Sequence, residues 1–145
     1  TQFIHYQLTV KTLTHLGFSG AGTATAAMLH ADNLTLVESG ASQINLADLT
    51  ANALTVEMSG TGRVGLAGKV ASQTVDLSGL GSYEAGGLAS QAAHITLSGV
   101  GSATVWVRDQ LDADTSGAGT IRYYGSPQTN TSSSGLGTVQ RLGDK

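Results

Sequence analysis

The sequence predicts an all-β chain wound as a single-stranded, right-handed parallel β-helix with about seven rungs of 18–20 residues each. Three observations predict it. A four-residue phrase, Ser-Gly-x-Gly, returns at a near-fixed period. Apolar residues stand at the same offsets from each copy and are spaced by two, the period of a strand. Equivalent positions recur in one chain direction, which fits a parallel coil and not a series of hairpins; the right hand follows from the usual handedness of parallel crossovers.

The phrase is read at Ser19-Gly20-Ala21-Gly22, Ser59-Gly60-Thr61-Gly62, Ser78-Gly79-Leu80-Gly81, Ser98-Gly99-Val100-Gly101, Ser116-Gly117-Ala118-Gly119 and Ser134-Gly135-Leu136-Gly137. A further copy, Ser39-Gly40-Ala41-Ser42, lacks the second glycine. Successive serines lie 20, 20, 19, 20, 18 and 18 residues apart. Glycine serves where a chain needs positive φ or close backbone approach, so the phrase reads as the corner of each rung. An anion-cradling nest of N–H groups is the functional alternative. Calcium-binding nonapeptide repeats do not fit, because the period here is twice theirs and the fifth place after each serine is apolar.

The elements follow in order. Residues 1–18 alternate, with Ile4, Tyr6, Leu8 and Val10 on one side and His5, Gln7 and Thr9 on the other, as in a half-buried entry strand. Five places after each serine stand Ala24, Ile44, Val64, Tyr83, Ala103, Ile121 and Val139. Seven places after stand Ala26, Leu46, Leu66, Ala85, Val105, Tyr123 and Arg141. Three places before stand Leu16, Leu36, Val56, Val75, Ile95, Ala113 and Thr131. A looser inward column holds Leu29, Leu49, Val70 and Leu88. Polar columns between them mark outward faces, and each rung is expected to hold two short strands joined by turns. Near the C-terminal end Gln128–Ser133 is wholly polar, as capping repeats often are. The expected organisation is one domain over 1–145, with entry strands over 1–18, repeats over 19–133 and a truncated last rung over 134–145.

Composition narrows the function. Only 12% of residues are charged and the net charge is −3, with the basic residues scattered, which argues against nucleic acid as a partner. There is no cysteine, hence no disulfide or thiolate metal site. No apolar run approaches a membrane span. The chain opens on Thr1 and reads as a processed or trimmed product.

Serial Ser-Gly-x-Gly, followed by Ile121-Arg122-Tyr123-Tyr124-Gly125-Ser126-Pro127 before the last copy, resembles the putative auto-transporter adhesin, head GIN domain family of bacteria. The resemblance covers about residues 6–140. It implies a right-handed parallel β-helix, export to the periplasm, cell surface or extracellular space, and an adhesion, ligand-binding or structural role. It carries no catalytic residues and no cofactor.

Candidate contact residues lie where the outward pattern is irregular. Eight places after each serine the residues are Ala27, Ala47, Ala67 and Gly86, then Trp106 and Tyr124. Both rings are expected to face outward on adjacent rungs, with Arg108 and Arg122 beside them. A glycan or an envelope protein is the expected ligand, and a homo-oligomer the expected assembly where rung edges are exposed. The enzymatic alternative is a polysaccharide lyase built on Glu57 and Asp76, in one outward column that Thr96 interrupts before Asp114. His15 and His94 are four rungs apart, His5 is expected on the polar side of its strand and His30 in a turn, so no metal site is expected. No His–Asp pair attends any corner serine. No catalytic residue is assigned, and no enzyme activity is expected.

Overall fold

Parallel strands can pair in sequence only if the chain returns to the same end each time, and here it does so by coiling. The structure, a computed structural model, describes residues 4–10 and 15–144. The strands are β1 (Ile4–Val10), β2 (His15–Phe18), β3 (Ala21–Glu38), β4 (Ala41–Met58), β5 (Arg63–Leu77), β6 (Ser82–Leu97), β7 (Ser102–Thr115), β8 (Thr120–Tyr124), β9 (Gln128–Ser133) and β10 (Thr138–Gly143). Their order is β1-β3-β4-β5-β6-β7-β8-β10, with β2 also on β3 and β9 also on β7. Every pairing among them is parallel. The chain is thus an all-β solenoid of about six turns, close to the expected seven. No helix occurs among the described residues.

The middle rungs differ from the expected pairs of short strands. Each of β3 to β7 is one long strand that stays hydrogen-bonded as it bends. Register holds from Ala21↔Ala41 through Glu38↔Met58 without a shift.

The predicted inward columns form the core. Ala24, Ile44, Val64, Tyr83, Ala103 and Ile121 are buried, as are Leu36, Val56, Val75, Ile95 and Ala113. In the column seven places after each serine, Leu46, Leu66, Ala85 and Val105 are buried and Tyr123 packs against them. At the C-terminal end Val139 is half-buried, whereas Thr131 and Arg141 are exposed. The looser column needs correction: register runs Leu29↔Leu49↔Gly68↔Leu88, and Val70 belongs to the next inward column, Ala31↔Ala51↔Val70↔Ser90. Gly68 has φ +136°, and a β-carbon there would lie 2.0 Å from the Leu49 carbonyl oxygen, so a bend replaces the side chain. The inward places expected of Ile4, Tyr6, Leu8, Val10, Leu16 and Ala26, the outward ones of His5 and Ala27, and the side chain of Phe18 lie outside the described residues.

The corners show what the first glycine does. None of the corner glycines has positive φ. What they need is close approach. A β-carbon on Gly40, Gly60, Gly79, Gly99 or Gly117 would lie 2.0–2.2 Å from the carbonyl oxygen of the first glycine one rung below. The same oxygen accepts a hydrogen bond from the next residue, as in Leu80 N–H to Gly60 O (3.1 Å) and Val100 N–H to Gly79 O (3.2 Å). The residue in between points outward, leaving Leu80, Val100 and Leu136 exposed. The serine hydroxyls of Ser59 and Ser78 make only long contacts, 3.5 and 3.4 Å, to carbonyls of the rung below.

The second glycine has a different reason. Glu38, Met58, Leu97 and Thr115, each just before a serine, point inward and tuck beneath the second glycine of the following rung, whereas Gly101 packs against the Gly81 carbonyl oxygen instead. A β-carbon on Gly62 would meet Glu38 Cδ at 2.9 Å, on Gly81 Met58 Cε at 2.8 Å, and on Gly119 Leu97 Cδ2 at 2.3 Å. The rung that lacks this glycine carries a linked exception. Ser42 is buried and donates to Oε1 of buried Glu38 at 3.1 Å. Glu38 Oε2 has no partner among the described residues.

Two substitutions test this reading by denaturant unfolding. Gly99→Ala is expected to cost about 3 kcal/mol or more, because backbone must move. Gly20→Ala, with no described heavy atom within 4 Å, is expected to change stability by less than about 1 kcal/mol. For the buried pair, Ser42→Gly alone should destabilise by about 1–3 kcal/mol by stripping Glu38 of its partner. Combining it with Glu38→Met, the arrangement of the next rung, should restore or exceed the original stability.

Candidate functional site

Trp106 is the only tryptophan of the chain and sits mid-strand in β7. Val105 and Val107 on either side are fully buried, so the indole is directed outward and is half-buried against the surface. The Arg108 guanidinium lies over it, 5.6 Å from the ring centroid. Tyr124 is the register partner of Trp106 on the next rung and is also half-buried. Its ring runs along Gly86, where an added β-carbon would meet Tyr124 Cε2 at 3.3 Å. Arg122 is exposed and pairs in register with Thr104, in the adjoining outward column.

The column beneath Trp106 differs from the one obtained by counting eight places from each serine. Between Ala85↔Val105 and Ala89↔Trp106 the register shifts, so β6 holds three extra residues there, Gly86, Gly87 and Leu88. The column that ends in Trp106 and Tyr124 therefore runs His30↔Thr50↔Lys69↔Ala89↔Trp106↔Tyr124. Lys69 was hidden by counting forward. Counting back from the following serine finds it: His30, Thr50, Lys69 and Ala89 each stand nine residues before a corner serine.

Beside this column lies a trough of about 220 Å³. Ala51, Val70 and Ala89 form an apolar floor, Lys69 and Arg108 supply two cations, and Thr50, Asn52 and Gln91 supply polar side chains. None of its lining residues is acidic. A second depression of about 380 Å³ lies at the corners around Ser42, Gly62 and Arg63. It has one cation and no aromatic residue.

A buried polar chain braces the trough from inside. Tyr83 donates to Gln73 Oε1 at 2.7 Å, Gln73 Nε2 donates to Ser90 Oγ at 2.8 Å, and Ser90 donates to the Trp106 carbonyl at 2.8 Å. Gln73 and Ser90 are each 1% exposed and Tyr83 is fully buried, so each bond replaces water that cannot enter. Burial raises the Tyr83 hydroxyl far above the ordinary tyrosine range.

The carboxylate column stands as the spacing implied. Glu57 pairs with Asp76, Asp76 with Thr96, and Thr96 with Asp114. Glu57, Asp76 and Asp114 are exposed. His15 and His94 head and follow a Thr35–Thr55–Thr74 column, four rungs apart. Among the described residues no group of three or more His, Asp or Glu side chains is placed to hold a metal ion.

A family model described as putative auto-transporter adhesin, head GIN domain, matches residues 1–127. The chain is similar to a solved structure of a putative adhesin from Bacteroides fragilis, with 32% identity and a TM-score of 0.87 over 90% of this chain and 61% of that one. It is also similar in fold to a putative adhesin from Parabacteroides distasonis, with 22% identity and a TM-score of 0.79 over 97% of this chain and 63% of that one. A putative lipid binding protein from Parabacteroides distasonis shares the fold at 21% identity and a TM-score of 0.73, over 97% of this chain and 57% of that one. The chain thus spans about three fifths of the length of these solved relatives. No curated protein matches it.

Tyr83→Phe tests the internal brace. It leaves Gln73 Oε1 unpaired in the core and is expected to cost about 1–3 kcal/mol at neutral pH. The raised Tyr83 pKa adds a pH dependence of definite sign. Below about pH 10 neither state ionises this hydroxyl and its contribution is intact; above that the unfolded chain loses the proton first, so stability falls as pH rises. Alkaline unfolding curves should therefore be steeper for the wild type than for Tyr83→Phe.

Proposed function

The chain belongs to the putative auto-transporter adhesin, head GIN domain family, and on that premise we propose that it is a non-enzymatic binding module of the cell envelope or extracellular space. Its contact face is the outward surface around Trp106 and Tyr124, flanked by Arg108 and Arg122. The observation that carries this reading is the seating of Trp106. The half-exposed indole is covered on one side by Arg108 and has its backbone carbonyl held by Ser90 from the core. Rigid aromatic groups beside a cation, fixed from beneath, are what contact surfaces use, because little conformational freedom is lost on binding. The repeated corners are spent on backbone packing, so the face that varies from rung to rung is where a ligand would be read. A glycan or an envelope protein is the ligand class this face suits.

A second reading is a polysaccharide lyase using Glu57 and Asp76, favoured by their adjacency in one outward column. The break at Thr96 separates them from Asp114 and weakens it.

Binding of the wild-type chain and Trp106→Ala to glycan and envelope-protein arrays tests the first reading. Trp106→Ala is expected to lose about tenfold or more in affinity with its melting temperature little changed. Equal retention by both proteins would contradict it. For the second reading, the wild type should leave acidic polysaccharides uncut; cleavage that disappears in Glu57→Gln or Asp76→Asn would establish the enzyme instead.

A further inference from the structure

We infer that the trough between Lys69 and Arg108 binds an acidic saccharide, a sugar chain bearing carboxylate or sulfate groups. This rests on the reading of the Trp106 face as a binding surface and names its ligand class. The chain has only seven basic residues and is net negative, yet two of them stand on the walls of one trough whose lining includes no acid. Neither has an ion-pair partner among the described residues, where the ion pair present is Arg141–Asp144. Asp109, next to Arg108 in the chain, is not part of the lining. Lys69 on β5 and Arg108 on β7 stand two rungs apart, about 10 Å along the stack, so the two cations can engage separate groups of an extended ligand.

The rest of the lining favours a saccharide over an acidic peptide. Peptides that bind sheets usually add to a free strand edge. Here the strands under the trough are already paired on both sides, β5 between β4 and β6, and β6 between β5 and β7. What remains is a small apolar floor, Ala51, Val70 and Ala89, rimmed by the exposed amides of Asn52 and Gln91. Such a surface suits a C–H face surrounded by hydroxyl groups, with the two cations answering its acidic substituents.

The test is calorimetric titration of the full chain, with Trp106 fluorescence as a site-specific reporter. Four probes are used: an oligogalacturonate, a sulfated heparin fragment, a neutral oligosaccharide of matched length, and a poly-glutamate peptide. At least one acidic oligosaccharide should bind, more weakly as salt rises, and should lose about tenfold or more in Lys69→Ala and in Arg108→Ala. Arg63→Ala, at the other depression, should bind as the wild type does. The uronate and sulfate arms distinguish which acidic group is read, and binding in either supports the inference. Binding of poly-glutamate with both acidic saccharides inert would overturn the saccharide assignment. Binding of the neutral probe that ignores both substitutions would overturn the acidic class and leave the Trp106 face standing. Silence from all four probes would overturn this inference, and the Trp106→Ala array comparison would then decide the parent reading separately.

Discussion

The contact on which the solenoid depends is glycine Cα against the carbonyl oxygen of the glycine one rung below. At each corner the chain must turn while its backbone stays within hydrogen-bond reach of the preceding rung. That reach leaves 2.0–2.2 Å for a β-carbon at the corners from Gly40 to Gly117, which is no space at all. Glycine is therefore required by proximity and not by a left-handed backbone. Once the corner is set, the parallel register follows, and with it the vertical alignment of every inward column. Burial of those columns supplies the stabilisation, at roughly 25 cal/mol per Å² of apolar surface. The corner decides which side chains share it.

Much of this was legible in the sequence because the period and the alternation are both backbone properties. Ile44 over Val64 and Val56 over Val75 could be read by counting. Counting failed where rung length changed inside the strand and not at the corner. The three additional residues of β6 moved Trp106 from the Gly86 column to the Ala89 column, and Gly68 displaced Val70 from its apparent place. Composition could not reveal that Gln73, Tyr83 and Ser90 meet in the core, since they lie at unrelated offsets in different rungs. Nor did the missing glycine at Ser42 announce its partner Glu38, because only the fold turns that carboxylate inward.

Two of those irregularities meet at the face around Trp106. The bulge in β6 makes room for Tyr124 over Gly86, and the polar chain from Tyr83 ends on the Trp106 carbonyl. Arg108 lies at the shift in register between β6 and β7, which frees it from strict column spacing and lets it cover the indole. Arg108 joins the two features: it lines the trough with Lys69, Asn52 and Gln91, and it also covers the Trp106 indole beside it.

The central claim is that the corners build the scaffold and the irregular column meets the ligand. Hydrogen exchange on the full chain, with and without a saturating acidic oligosaccharide, tests it most directly. The account predicts added protection confined to Thr50–Asn52, Lys69–Ala71, Ala89–Gln91 and Trp106–Arg108, with the Ser-Gly corners unchanged. Protection appearing at the corners, and not along that column, would contradict it.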